Sequence, residues 1–265
     1  MTVDQHFLVD KDVVRKIVEK ADLTRQDTVL DVGAGTGIIT VEAARRAKLV
    51  IAVEQDTRLM PKLKAACTGL DNVKLVVGNI LKTKLPPYTK VVSNPPFSII
   101  EPLIMRHLRK PVPMSILVPK KFSDNIVAGN TALGFKTSLA YKAEAAEIFE
   151  GNVCQPPYPG KLAHLILNPV QKTAAEKAMV EFLSYSTSKT RNALRNIIWN
   201  YTTKRTATKI IELSSLPDPL LEKPVKRTNL EDLQTIYSFL ESTIGDKNLR
   251  INPSHNRLGE MAEVG

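Results

Sequence analysis

Cysteine is nearly absent from this sequence. Cys67 and Cys154 are the only two in 265 residues. They stand far apart, and no C-x-x-C occurs. The four histidines are not clustered either. This composition argues against a disulfide framework and a zinc site, and it fits a reducing compartment. No metal is expected. Long apolar runs are also missing: none approaches the ~20 residues that cross a bilayer as a helix. The opening residues, MTVDQHFLVDKDVV, are polar and charged, unlike a secretory leader. A cytoplasmic protein without a membrane partner is expected. Acidic residues are in deficit, with 27 Asp and Glu against 37 Lys and Arg, a net charge of +10. Such a surplus favours an anionic partner, most commonly nucleic acid; a basic surface kept for solubility is the plainer alternative.

What is present reads as an ordinary folded chain, 43% hydrophobic and 24% charged. Asp10 opens a helical pattern with Val13, Val14, Ile17 and Val18 on one face. Strands are predicted at 28–33, 49–54, 73–78, 90–93, 114–119 and 161–168. Helices are predicted at 37–47, 57–67, 99–108 and 120–128. Residues 135–151 read as two strands. This β-α-β-α rhythm implies an α/β fold with a parallel, doubly wound sheet and an antiparallel addition at its end. After Pro169 the pattern becomes helical. A domain boundary is placed at 170/171, separating a catalytic domain, 1–170, from a helical one, 171–265. Within the latter, PDPLLEKP (217–224) reads as a turn and residues 251–265 as a frayed tail.

Two motifs carry chemistry. VLDVGAGTGIIT sets Gly33, Gly35 and Gly37 after the first strand of the sheet, where glycine lets backbone turn sharply and approach a ligand. Glu54 ends the next strand, where an acid can accept from a ribose diol. The spacing G-x-G-x-G is one residue tighter than the dinucleotide pattern. It leans towards S-adenosylmethionine and leaves a nucleotide open. Asn79, after the third strand, suits either a contact to the cofactor's adenine or a simple turn.

The second motif is Asn94-Pro95-Pro96-Phe97, at the end of the fourth strand. Two prolines exclude helix and stiffen the turn. The Asn94 carbonyl and the Pro95 carbonyl can both accept from one exocyclic NH₂ group. An amine of that kind is a poor nucleophile, because its lone pair is delocalised into the base. Two fixed acceptors draw it towards tetrahedral geometry, and Phe97 can stack on the base. Such a base must first leave its helical stack. A Pro-Pro turn with a core Phe is the alternative reading.

From Ser186 to Lys209 there are six Lys or Arg and no acid. Leu194, Ile197, Ile198 and Tyr201 share one helical face. Lys189, Arg191 and Arg195 are candidates for phosphate contact on the remainder, with Lys120 and Lys121 extending the track near the catalytic edge. A solvated basic face is the alternative.

Taken together, QHFLVD (5–10), DVGAGTG, VEQD, NPPF, LVPKK (117–121), QPPYPGKLAHLIL, SKTRNALRNII and PVKRTNLEDLQTIYSFL resemble the rRNA adenine-N6 dimethyltransferases. The similarity runs over nearly the whole chain. The last two segments resemble the small-subunit dimethyladenosine transferases more than the erythromycin-resistance methylases. The resemblance implies a Rossmann-like S-adenosylmethionine-dependent methyltransferase domain with a C-terminal helical domain. It implies N6-dimethylation of adenosines in small-subunit ribosomal RNA, within an assembly intermediate. It also adds Gln5, His6 and Leu8 to the cofactor site and implies that Asn94 borders it. Departures are His6 for the usual Asn, Asn79 for Asp, Pro95 for Leu or Ile, and Phe97 for Tyr. The rival readings are a large-subunit methylase and a non-catalytic nucleic-acid-binding relative.

Overall fold

The structure is a computed structural model, and residues 6–245 are described. Its strands are β1 (Phe7–Leu8), β2 (Thr28–Val32), β3 (Leu49–Glu54), β4 (Val73–Val77), β5 (Lys90–Ser93), β6 (Met114–Pro119), β7 (Tyr141–Glu150), β8 (Cys154–Gln155) and β9 (Lys161–Pro169). The first unit carries six helices: α1 (Lys11–Lys20), α2 (Ile38–Ala44), α3 (Met60–Ala66), α4 (Phe97–His107), α5 (Lys120–Ala128) and α6 (Ala132–Ser138). Seven strands form one sheet in the order β4-β3-β2-β5-β6-β9-β7. The first five run parallel; β9 and β7 add in antiparallel fashion. The central strands β2 and β3 are apolar and buried almost throughout, as expected of a sheet covered on both faces.

The strand order fixes the site. From β2 the chain steps to β3 and β4 on one side, then crosses over to β5 on the other. The carboxyl ends of β2 and β5 therefore flank the point where the winding reverses, the usual ligand crevice of such sheets. β1 lies apart from this sheet and pairs antiparallel with β8, Phe7 opposite Gln155 and Leu8 opposite Cys154. Val9 N–H adds a bond to Val153 O at 3.0 Å. Directly after this pairing, Asp10 caps α1 by accepting from the N–H groups of Asp12 and Val13. α1 buries Val13, Val14, Ile17 and Val18, the face read from the sequence.

Three local expectations are corrected. Residues 135–151 do not form two strands: the first part belongs to α6, and the rest is the long strand β7. Short apolar stretches do not separate helix from strand by pattern alone. Here Thr131 caps the helix by accepting from Gly134 N–H, and β9 offers a partner along the whole of β7. Next, α4 begins at Phe97 rather than at residue 99, because Pro96 (φ −52°, ψ 136°) serves as its N-cap. Finally, 217–224 is more than a turn. Asp218–Glu222 is a short helix with a proline in its first turn, and Leu220 and Leu221 are buried.

The chain divides into two compact units, the second beginning at Gln171. Its described part carries α7 (Ala174–Ser184), α8 (Thr190–Trp199), α9 (Lys204–Glu212), α10 (Asp218–Glu222) and α11 (Leu230–Leu240). Capping boxes at Thr173/Glu176 and Asn229/Asp232 start the first and last of these. Phe182, Leu194, Ile197, Leu233 and Ile236 form part of the unit's buried interior. The expected tail at 251–265 and Gln5 lie outside the described residues. No described helix is long and apolar enough to cross a membrane.

Candidate active site

One cavity is lined by His6, Phe7, Leu8, the loop from Gly33 to Thr36, Glu54 and Asn94 to Phe97, among others. Its first wall is the loop after β2. Gly33 (φ +69°) and Gly35 (φ +58°) have left-handed backbone, which strains residues with a Cβ. Space is short as well. A Cβ on Gly33 would lie 2.7 Å from Pro96 Cδ, and one on Gly35 would lie 3.2 Å from the Phe7 ring. The glycines thus let the Pro-Pro turn and the N-terminal segment close onto the loop. Gly37 sits differently. It is not among the residues lining this cavity; its backbone is left-handed (φ +91°) at the start of α2, and a Cβ there would meet Leu63 of α3 at 2.9 Å, so backbone conformation and helix packing both call for glycine.

Two carboxyls border the cavity. Glu54 is 6% exposed; its Oε2 accepts from Gly35 N–H at 2.8 Å and its Oε1 from Asp56 N–H at 2.7 Å. The acid therefore shapes the glycine loop while it faces the cavity. Asp31, which heads the glycine loop in the sequence and was given no role there, is 1% exposed and accepts from Thr40 Oγ1 at 2.7 Å. Burial pushes its carboxyl up to about 7; hydrogen bonds from Thr40 and Ser93 oppose this, and the charge of Glu54 adds to it. An adjoining cavity is lined by Glu54, Asp56, Gly78, Asn79, Ile80 and Pro96, among others. There Asn79 Oδ1 accepts from Leu81 N–H at 2.9 Å, the geometry of a turn asparagine. Its carbonyl is thus already engaged in shaping the loop after β4.

The second wall is the turn after β5. Asn94 Nδ2 donates to His6 O at 3.0 Å. That bond sets the amide so that Oδ1 is the acceptor left over. Neither Asn94 Oδ1 nor the Pro95 carbonyl has a hydrogen-bond partner among the described residues. Pro95 is buried and Phe97 half-buried in the first turn of α4, so both are carried by rigid backbone. Phe97 has two aromatic neighbours that motif reading did not assign to it. The His6 ring is stacked on it at 6.0 Å and 21°, and Tyr158 meets it edge-on at 5.2 Å. Tyr158 comes from the loop after β8, and only the β1–β8 pairing brings these residues together.

The expected RNA contacts fare unevenly. Lys189 pairs with Glu222 at 2.6 Å, and Arg191 pairs with both Asp218 and Glu222. Arg195 is half-buried, with Nε enclosed by protein. The acids of α10 lie outside the acid-free stretch, so this neutralisation was not legible in the sequence. On α9, by contrast, Arg205 and Lys209 are exposed and make no ion pair among the described residues. Lys204 lies over the Trp199 ring at 5.5 Å. In the first unit, Lys120 pairs with Asp124 at 2.6 Å while Lys121 is exposed.

The arrangement is that of a small-molecule crevice at the point where the winding reverses. Glycines clear the space, two buried carboxyls border it, and an amide with a spare carbonyl stands beside an aromatic ring. Comparison with known proteins identifies the family. A protein of Methanosarcina mazei described as a probable ribosomal RNA small subunit methyltransferase A is 30% identical over 249 residues, covering 90% of this chain and 92% of that one. The dimethyladenosine transferase of Schizosaccharomyces pombe is 38% identical over 130 residues, 47% of this chain and 42% of that one. Among solved structures, a dimethyladenosine transferase from Plasmodium falciparum superposes with TM-score 0.61 at 20% identity, covering 90% of this chain and 98% of that chain. The 23S rRNA methyltransferase ErmE gives 0.59 at 21%, covering 89% and 99%. These two likenesses establish the Rossmann-like methyltransferase fold. The ribosomal RNA adenine dimethylase family matches residues 2–240, and this chain belongs to that family of methyltransferases.

Proposed function

We propose that this protein uses S-adenosylmethionine to dimethylate N6 of adenosines in small-subunit ribosomal RNA. The observation that carries the reading is the Asn94–His6 bond, which leaves the Asn94 carbonyl as an acceptor in a cavity shared with the glycine loop. Asp31 and Glu54 would hold the cofactor's ammonium and ribose diol, with Leu8, Gly33 and Gly35 shaping its bed. Asn79 would border the adenine with its Nδ2 group, since its carbonyl serves the turn. When bound, the cofactor supplies a methyl group on a sulfonium, a leaving group that needs no acid.

The protein's own contribution is positional. Asn94 Oδ1 and the Pro95 carbonyl would take the two amine hydrogens and gather the nitrogen lone pair out of the ring. Both acceptors are fixed beforehand, so little reorganisation opposes the reaction. Phe97 would carry the face of an adenine taken out of its stack. Solvent receives the proton that the amine loses. The cations of α9 would follow phosphates, a role for which Lys189 and Arg191 are less suited because they are already paired. The substrate would be an assembling small subunit in the cytoplasm.

The test is to incubate the protein with small and with large ribosomal subunits lacking the modification, each with labelled S-adenosylmethionine, and to map the product. Dimethyladenosine in small-subunit RNA is the expected result. Label confined to large-subunit RNA would favour the large-subunit methylase reading instead. No transfer to any RNA would overturn the reading.

A further inference from the structure

Aromatic residues make up only 5% of the chain, yet Phe97 and Tyr158 gather with the His6 ring at one wall of the cavity. Tyr158 meets both other rings edge-on, His6 at 5.4 Å and Phe97 at 5.2 Å. His6 and Phe97 are nearly parallel, at 21°, with centroids 6.0 Å apart. A flat base between two parallel rings needs about 7 Å, two van der Waals gaps of ~3.5 Å. With centroids 6.0 Å apart, the two rings must separate to admit one.

His6 is held on this spot from two directions. Its Nδ1 lies 3.0 Å from Pro156 O. A carbonyl only accepts, so Nδ1 carries the proton. Its backbone oxygen accepts from Asn94 Nδ2 at 3.0 Å. The residue therefore touches both the acceptor amide and the stacking ring, while its own ring is only half-buried.

From this we infer that His6 is the second wall of the base pocket. The target adenine enters between His6 and Phe97, the rings part to admit it, and Tyr158 closes one edge. Without RNA, His6 covers the face of Phe97 that the base will take, so the apolar ring is not left open to water. The inference rests on the adenine-methylating reading above and assigns His6 to the base rather than to the cofactor.

The test compares wild type with His6→Ala, His6→Phe and His6→Asn on unmodified small subunits at saturating S-adenosylmethionine, with cofactor affinity measured separately by calorimetry. Base–aromatic stacking is worth ~1–3 kcal/mol, so kcat/KM for the subunit should fall roughly 5- to 150-fold in His6→Ala. His6→Asn should lose a similar amount. His6→Phe should recover most of it, since the flat ring returns. Cofactor affinity should stay within about twofold in all three. Wild-type kcat/KM in His6→Ala would overturn the inference, as would a loss that appears only as weaker cofactor binding. His6→Phe as impaired as His6→Ala would also overturn it, by assigning the effect to the Pro156 hydrogen bond. An inactive wild type would instead overturn the functional reading on which the inference rests.

Discussion

The side-chain amide of Asn94 donates to the backbone oxygen of His6, 88 residues earlier in the chain, at 3.0 Å. Alanine at 94 would remove the acceptor and the tie together. The acceptor matters most as the amine becomes tetrahedral, so the loss should fall on turnover while cofactor binding is kept. Losing one preorganised contact of this kind costs about 2.7–4 kcal/mol, or ~10²–10³-fold in rate. Asn94→Asp should be no better, because a carboxylate oxygen would then face the His6 carbonyl. Single-turnover methylation of small subunits measures both, and a wild-type rate in Asn94→Ala would reduce the turn to a structural element.

Gly33 and Pro96 join the two walls of the cavity. Gly33→Ala would place a methyl group 2.7 Å from Pro96 Cδ on backbone with φ +69°. Neither proline nor loop can yield easily. The substitution should destabilise the protein by ~1–3 kcal/mol and displace the turn that carries Asn94. Denaturant unfolding reads the first effect. A fall in methylation larger than the stability loss explains would reveal the second.

Glu54 should govern cofactor affinity. Glu54→Gln keeps the shape and removes the charge, weakening S-adenosylmethionine by ~1–3 kcal/mol through the ribose bonds. The amide can still accept from one of Gly35 and Asp56 but not shape the loop as the carboxylate does. Unchanged affinity by calorimetry would remove Glu54 from the site.

On the RNA side, Arg205→Ala with Lys209→Ala should lower the slope of log affinity against log salt by ~0.7–0.9 for each lost phosphate contact. Arg191→Ala should change it less, because Asp218 and Glu222 already neutralise that guanidinium. Filter binding across a salt series ranks the two variants. Equal slopes for wild type and the α9 double variant would return α9 to a solvated face.

Asp31 gives a pH prediction. Its folded pKa of about 7 exceeds the ordinary value of 3.8. The native state therefore keeps a proton that the unfolded chain releases, and stability falls as pH rises from about 4 to about 7. The full effect approaches ~4 kcal/mol, at about 1.4 kcal/mol for each pH unit. Asp31→Asn should lack this fall, so its stability advantage should grow over that range and level off above it. His164, pushed down to about 4 by burial, acts in the opposite sense. The measurement is therefore the difference between the two proteins at each pH, by chemical denaturation. A difference independent of pH would mean that Asp31 is ionised throughout.

Local chemistry was legible in the sequence because it depends on neighbours in the chain. The apolar runs of β2 and β3 imply buried parallel strands, and Asp10 followed by Val13, Val14, Ile17 and Val18 implies a capped amphipathic helix. The glycines, the paired prolines and the order of the motifs marked the cavity and the family. What needed tertiary structure was every relationship across long separations. Gly33 and Gly37 read alike in one loop, yet one opens the cavity against Pro96 and the other packs on α3, because helix position rather than residue type decides what each faces. Lys189 and Arg191 read as free cations until α10 brought Asp218 and Glu222 against them. His6, Phe97 and Tyr158 carry no shared pattern. Their meeting depends on β1 pairing with β8, and a sequence motif cannot specify which distant strand supplies the partner for its backbone hydrogen bonds.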